Sequence, residues 1–240
     1  DRAIITLNNI SKNFHVYQKS RTFLLFIKSI CGGSFASQTI HALHDITLAV
    51  REHDKIGIIG PNGAGKTTLL KIILGIYKPT SGTLSTQGKM IGFLQQGLGL
   101  YRELTVLDNI YLFGAMIGYR RNDLKPKIKN ILSFAGLEDF IFSPIRDFST
   151  GMLQRLAVSI IAELDTDIVF LDEILTGTDK NFKEKCFTLF ETSKKTFLIS
   201  SHDIDIIARL CNKTLVLDKG KQVIFGDTQA AIKIYKEITS

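Results

Sequence analysis

Coarse apolar–polar periodicity, clearest from Ile5 to Asn8, predicts an opening strand over residues 3–10. A basic, aromatic stretch follows over 12–28, and then a Gly/Ser-rich connector over 32–37. Residues 46–50 and 55–59 read as strands, the second a short apolar run that ends on Gly60. From Lys66 the spacing becomes helical: Leu69, Leu70, Ile73 and Leu74 share one side, and Gly75 stops the helix. A hairpin around Gly88 is expected to join strands at 83–86 and 90–94. From Val106 to about Ala162 the pattern is helical. Strands at 167–171, 196–200, 214–217 and 222–225 then alternate with helices at 182–192, 204–211 and 229–238, with a turn at Lys219-Gly220-Lys221. This alternation predicts an α/β core built on a largely parallel sheet.

A chain of 240 residues can bury a sizeable core, as one domain with or without an inserted lobe. Its 45% hydrophobic and 22% charged residues lie close to globular averages, which excludes disordered, collagen-like and coiled-coil classes. The 30 Lys+Arg against 23 Asp+Glu leave a net charge of +7, which admits nucleic acid, an anionic membrane surface or anionic small ligands as partners. Cys31, Cys186 and Cys211 are far apart and in no metal-type spacing, so they read as buried thiols of a reducing compartment. The apolar run at 23–27 is far short of the roughly 20 residues that span a bilayer. With no signal-peptide pattern ahead of the first strand, a cytosolic location is expected.

Candidate chemistry changes this picture. Gly60-Pro61-Asn62-Gly63-Ala64-Gly65-Lys66-Thr67 fits the phosphate-cradle pattern G-x-x-x-x-G-K-[ST], with a buried strand before it and a helix after it. In such a loop successive backbone N–H groups turn inward around phosphate oxygens, and the helix N-terminus adds its dipole. Lys66 is placed to reach the β- and γ-phosphates, Thr67 to hold Mg²⁺, and Thr68 to bond nearer the α-phosphate. A nucleoside triphosphate is the expected ligand.

The apolar run 168–171 ends in two adjacent acids, Asp172 and Glu173. Two like charges at the end of a buried strand are costly unless a cation or water compensates them. Beside a phosphate cradle they divide the work: Asp172 in the Mg²⁺ shell, Glu173 as general base on the attacking water. About a hundred residues separate the two motifs where a βαβ unit needs about 30, so a helical segment is expected to be inserted.

Within that insertion lies Phe148-Ser149-Thr150-Gly151-Met152, shortly before the acidic strand. With the cradle, it resembles the L-S-G-G-Q signature of ABC-type ATPases, with Phe148, Thr150 and Met152 departing from it and Ser149 and Gly151 retained. The other stations of that family occur in order. Phe93-Leu94-Gln95-Gln96 resembles the Q-loop, Asp179 is similar to the D-loop aspartate, and Ser201-His202-Asp203 resembles the switch-histidine segment. The resemblance implies ATP and Mg²⁺ as cofactors. It implies that Gln96 contacts Mg²⁺ and water, that His202 touches the γ-phosphate, and that Ser149, Gly151 and Asp179 act on the ATP held by a second copy of the chain. It also implies an adenine-stacking aromatic after the first strand, for which Phe14 and Tyr17 both qualify. The fold implied is a P-loop NTPase core of the ABC type, at 1–104 and 163–240, with an antiparallel β edge and an inserted helical subdomain over about 105–162.

Asp172-Glu173-Ile174-Leu175-Thr176-Gly177-Thr178-Asp179, followed by Phe182 and Lys185-Cys186, resembles the D-E-V-L-A-V-G-D…F…K-C run of polysaccharide exporters, with Thr176 and Thr178 departing from it. Ser149-Thr150-Gly151-Met152 is similar to their S-S-G-M variant of the signature, and the glycines Gly97 and Gly99 to their modified Q-loop region. The function implied is ATP hydrolysis driving export of O-antigen, capsule or teichoic-acid chains through a separate membrane-spanning permease. The subunit would act as a peripheral homodimer on the cytoplasmic face of the membrane. Lys19, Arg21 and Lys28 around Phe23–27 fit a segment lying on an anionic membrane or a membrane subunit, and equally a solvated loop packed on its own domain. Nucleic acid is not expected as a partner. Another class of ABC exporter, or a soluble ABC ATPase acting on nucleic acid or ribosomes, is the alternative.

Overall fold

The structure, a computed structural model, describes residues 2–17, 37–94, 99–173, 175 and 178–239. The described strands are β1 (Ala3–Tyr17), β2 (Ser37–Arg51), β3 (Lys55–Ile59), β4 (Ser81–Thr86), β5 (Met90–Phe93), β6 (Ile168–Asp172), β7 (Thr196–Ser200), β8 (Lys213–Asp218) and β9 (Lys221–Asp227). They form one sheet in the order β4-β1-β2-β9-β8-β3-β7-β6-β5. The half from β8 to β5 is parallel throughout, and β1, β2 and β4 make an antiparallel edge. The helices are α1 (Lys66–Ile73), α2 (Val106–Ile117), α3 (Arg121–Ala135), α4 (Thr150–Glu163), α5 (Lys180–Thr192), α6 (Ile204–Leu210) and α7 (Thr228–Thr239). Among the described residues no helix is long and apolar enough to cross a membrane.

Two expectations need correction. The strands on either side of Gly88 do not form a hairpin: β4 pairs antiparallel with β1, and β5 pairs parallel with β6 at the opposite end of the strand order. Only residues 87–89 join them, a reach of roughly 14 Å at most, so the sheet curls until its two edges nearly meet. Gly88 is needed at that seam, because a Cβ there would lie 2.8 Å from Asp167 Oδ2. Lys89 N–H donates to the same oxygen at 2.6 Å, which ties the connector to the base of β6.

The first strand also runs well past residue 10, and β2 starts well before 46, so that β1 and β2 form a long ladder from Ala3↔Arg51 to Tyr17↔Ser37. Its register slips at several points, and Asn9 and Asp45 take left-handed backbone angles, each with φ of 50°. Each bulge shifts the inward-facing set by one position, so alternation counted along the sequence loses the strand there.

Inside the curl lies α1, with Leu69, Leu70, Ile72 and Ile73 buried against the inward residues of β1, β2 and β3. On the sheet's other face α2 to α7 cover a second cluster that includes Val169, Leu171, Phe197 and Ile199. Successive residues of β6 and β7 thus go to opposite clusters, as the pleat requires. A buried ion pair fastens the end of the core away from the cradle. Asp54, 6% exposed, accepts from Arg51 N–H, Asn212 Nδ2 and Lys213 Nζ, binding the start of β3 to the start of β8. Cys186 and Cys211 are buried, and burial pushes both thiols up to about 12; Cys31 lies outside the described residues.

Candidate functional site

The phosphate-cradle loop connects the buried strand β3 to α1 and is held on both sides. A Cβ on Gly60 would lie 2.2 Å from the carbonyl oxygen of Leu217 in β8, so only glycine lets the loop leave the sheet so close to its neighbour. Gly65 precedes α1 at φ +103°, where a Cβ would meet Leu43 Cδ2 at 2.7 Å and Ala42 O at 2.8 Å. No side chain caps α1, which leaves its first N–H groups directed at the loop interior.

Lys66 is folded back onto the loop: its ammonium donates to Gly60 O at 2.7 Å and to Pro61 O at 3.1 Å. Burial lowers its pKa, while the charges of Glu173 and Asp172 pull the other way. The Thr67 hydroxyl donates to Asp172 Oδ2 at 2.9 Å. A hydroxyl beside a carboxylate is a hard-oxygen pair, and Mg²⁺ characteristically takes one or two carboxylates with the remaining positions left to water and phosphate. Thr67 and Asp172 therefore fit a Mg²⁺ site completed by the nucleotide.

Asp172 and Glu173 are consecutive, and continued strand geometry would send them to opposite faces. The backbone breaks that alternation. Glu173 takes the left-handed region with φ of 54°, held by its N–H donating to Ser200 O at 2.9 Å. A non-glycine residue there costs about 1–3 kcal/mol, and the result is that both carboxylates border one cavity. Glu173 Oε1 then lies 3.4 Å from His202 Nε2, on the turn after β7. The cavity, about 340 Å³, is bounded by residues 62–68, by Asp172, Glu173 and His202, and on the β2 side by Ile40, His41 and Ala42.

The structure thus gathers Lys66, Thr67, Thr68, Asp172, Glu173 and His202 into one place, with Gly60 and Pro61 supporting the loop beneath. Four other sequence candidates, Ser149, Gly151, Asp179 and Phe14, lie outside the cavity lining. Ser149 caps α4, accepting from Met152 N–H at 3.2 Å, and Gly151 follows in the first turn. Asp179 caps α5, accepting from Phe182 N–H at 3.0 Å, and pairs with Arg155 of α4. These bonds, Phe182 N–H foremost and Arg155 next, hold the Asp179 carboxyl below its ordinary value. Phe14 is half-buried and edge-on to Tyr77 at 5.5 Å, and does not border the cavity. Tyr17 ends β1, its side chain outside the described residues, as are Gln96, the segment bearing Lys19, Arg21 and Lys28, and Ile174, Thr176 and Gly177. Sequence reasoning missed Ile40, His41 and Ala42, which stand on the part of β2 that periodicity did not reach.

With this geometry in place, the likeness to known proteins can be read. The family model described as ABC transporter matches residues 43–176, which span the cradle and the acidic pair. The O-antigen export system ATP-binding protein RfbB of Klebsiella pneumoniae is 32% identical over 240 residues, covering 98% of this chain and 98% of that protein. The teichoic acids export ATP-binding protein TagH of Staphylococcus haemolyticus is 30% identical over 236 residues, covering 97% of this chain and 88% of that protein. In fold, the chain resembles the ATP-binding cassette MJ0796, solved as a dimer in a post-hydrolysis state with ADP and phosphate. The TM-score is 0.77 at 22% identity, over 93% of this chain and 98% of that one. A strand–cradle–helix unit, an acidic strand end and this likeness over nearly the whole length agree: the chain belongs to the ABC transporter family, as one of its ATP-hydrolysing cassettes.

Proposed function

We propose that the chain powers export of a lipid-linked polysaccharide, of the O-antigen, capsule or teichoic-acid type, by hydrolysing ATP beside a separate membrane-spanning permease. The observation that carries the chemistry is the convergence of three distant segments, 62–68, 172–173 and 202, on one cavity. Support for the glycan comes from the relatives named for O-antigen and teichoic-acid export, which align with 97–98% of the chain.

In this reading the cradle N–H groups and Lys66 bind the triphosphate, Lys66 exchanging its loop carbonyls for phosphate oxygens. Thr67 and Asp172, with Gln96, hold Mg²⁺, which supplies charge neutralisation on the phosphates. Glu173 takes the proton of the attacking water. His202, 3.4 Å from Glu173, orients that carboxylate and reaches the terminal phosphate. Two copies close on two nucleotides, Ser149 and Gly151 at the start of α4 facing the phosphates of the partner, with Asp179 beside them. The helices inserted between residues 105 and 162 form the lobe that carries this face. Closure and reopening drive a permease from the cytoplasmic face of the membrane.

The test joins both halves. Purified chain should hydrolyse ATP, and its removal from cells should leave the surface polysaccharide missing while its lipid-linked precursor accumulates inside. ATP hydrolysis with an unaltered cell surface would retain the ATPase and reject the glycan.

A further inference from the structure

We propose that Lys183, on α5, is a positioning residue for turnover: by holding Asp203 it fixes the turn that carries His202 beside Glu173. This rests on the reading of Glu173 and His202 above and extends it to a residue outside the cavity.

His202 stands on the turn between β7 and α6, with its side chain nearly half-exposed. Its Nε2 meets Glu173 Oε1 at 3.4 Å, and a working pair of this kind has to keep its geometry to within about 0.5 Å. The backbone on either side of His202 is anchored. Ser200 O accepts from Glu173 N–H at 2.9 Å, and the buried Ser201 accepts through Oγ from Asp203 N–H at 3.0 Å. Asp203 then caps α6, its Oδ1 accepting from Asp205 N–H at 3.0 Å and from Ile206 N–H at 3.4 Å.

Those bonds tie Asp203 to α6, a helix of 7 residues that is far too short to be stable alone. A charged tie to the neighbouring helix comes from the other oxygen, for Lys183 Nζ donates to Asp203 Oδ2 at 3.3 Å. Lys183 stands near the start of α5, where the helix dipole favours acids over cations, so the helix itself gives no reason for a lysine there. Its ammonium lies 5.8 Å from the centre of the Phe187 ring. The Arg209 guanidinium lies 4.0 Å from that same ring and pairs with Glu184 and Glu191, a second clamp between α6 and α5. The two clamps differ in what lies beside them: Lys183 grips the residue next to His202, and Arg209 grips α6 more than a turn further on. The side chains of Lys183 and Asp203 are 31% and 37% exposed. An ion pair so open to water contributes little to stability, so its loss should show in the rate and not in unfolding.

ATPase kinetics and urea unfolding of the whole chain test the inference. Lys183→Met removes the charge and keeps an apolar stem. It should lower kcat about tenfold, well inside what a misplacement of about 1 Å can cost, with KM for ATP within about twofold and the urea midpoint unchanged. Lys183→Arg should restore turnover. Asp203→Asn, which retains a capping oxygen, should give the same loss, and the double variant should lose no more than either single one. Arg209→Ala should lower the urea midpoint and leave kcat unchanged. Wild-type kcat in Lys183→Met, a kcat loss matched by a lower midpoint, losses that multiply in the double variant, or an equal kcat loss in Arg209→Ala would each overturn the proposal. His202→Ala separates the two layers: it should lower kcat by more than Lys183→Met does, and adding Lys183→Met to it should cost nothing further. An unchanged kcat in His202→Ala would end the reading of His202 and the proposal with it. A full further loss in the combined variant would leave His202 in its role and remove Lys183.

Discussion

Thr67 Oγ1 donates a hydrogen bond to Asp172 Oδ2 at 2.9 Å across 105 residues of chain. The bond joins the first turn of α1 to the end of β6 and sets two hard oxygen donors side by side. Thr67→Ala should therefore weaken ATP binding in the presence of Mg²⁺ by roughly tenfold or more, about the loss of one hydrogen bond to a charged group. Binding of ATP with the metal chelated should change little. Titrations with and without Mg²⁺ read the difference, and an equal loss in both would assign Thr67 to the phosphates alone.

Glu173 is held in the left-handed region, and its carboxylate lies 3.4 Å from His202. Glu173→Gln keeps the shape and removes the carboxylate proposed as the base. Turnover should fall by at least about a hundredfold, with ATP affinity retained and a dimer that persists on gel filtration with ATP. Substantial residual turnover would remove Glu173 from that role. Glu173→Gly should relieve the backbone cost, so this variant should lose activity without losing stability.

Asp54 gives the pH dependence a sign. Burial raises its pKa, but the bonds from Arg51 N–H, Lys213 and Asn212 outweigh that and leave it below the ordinary 3.8. A carboxyl whose folded pKa lies below its unfolded pKa contributes stability that is complete above the unfolded value. That contribution is lost as the pH falls through the folded one. Asp54→Asn should thus cost about 1–3 kcal/mol at neutral pH and flatten the fall in stability below about pH 4. Urea unfolding at several pH values checks both, and an unchanged acid limb would exclude Asp54 as its source.

Asp179 has two roles that substitution can separate. It caps α5 through Phe182 N–H and pairs with Arg155 of α4. Asp179→Ala should lose about 1 kcal/mol through the missing cap, whereas Asp179→Asn keeps the cap and should stay close to wild-type stability. If Asp179 acts across the dimer, the Asn variant should still show reduced ATPase activity and a weaker ATP-dependent dimer. Wild-type turnover in that variant would confine Asp179 to capping and to its pair with Arg155.

Much of the chemistry was legible in the sequence because it is local. The cradle is eight consecutive residues between a strand and a helix, and each part of its work depends on neighbours in the chain: glycines for the turn, Lys66 and Thr67 at the helix start. The strand ending in Asp172 and Glu173 and the segment at His202 are equally compact, and order along the chain sufficed to relate them. What failed were inferences that extended a local pattern across a long-range decision. The turn at Gly88 looks like a hairpin, yet β4 and β5 each found a better partner elsewhere, β1 and β6, at opposite edges of a curled sheet. The bulges at Asn9 and Asp45 cut the alternation that would have revealed β1 and β2 at full length, and with β2 went His41.

By itself, the sequence determined an α/β cassette with a phosphate cradle, an acidic strand end and a family, because backbone conformation and motif spacing are written over a few residues at a time. Only the tertiary structure decided how those pieces face one another. Glu173 turns against the strand's alternation to join Asp172 because Ser200 O holds its N–H. His41 borders the cavity, and Phe14 does not, because β2 is pressed against Gly65 while Tyr77 holds Phe14 aside. Such placements depend on packing between segments far apart in the chain, and no local run of residues encodes them.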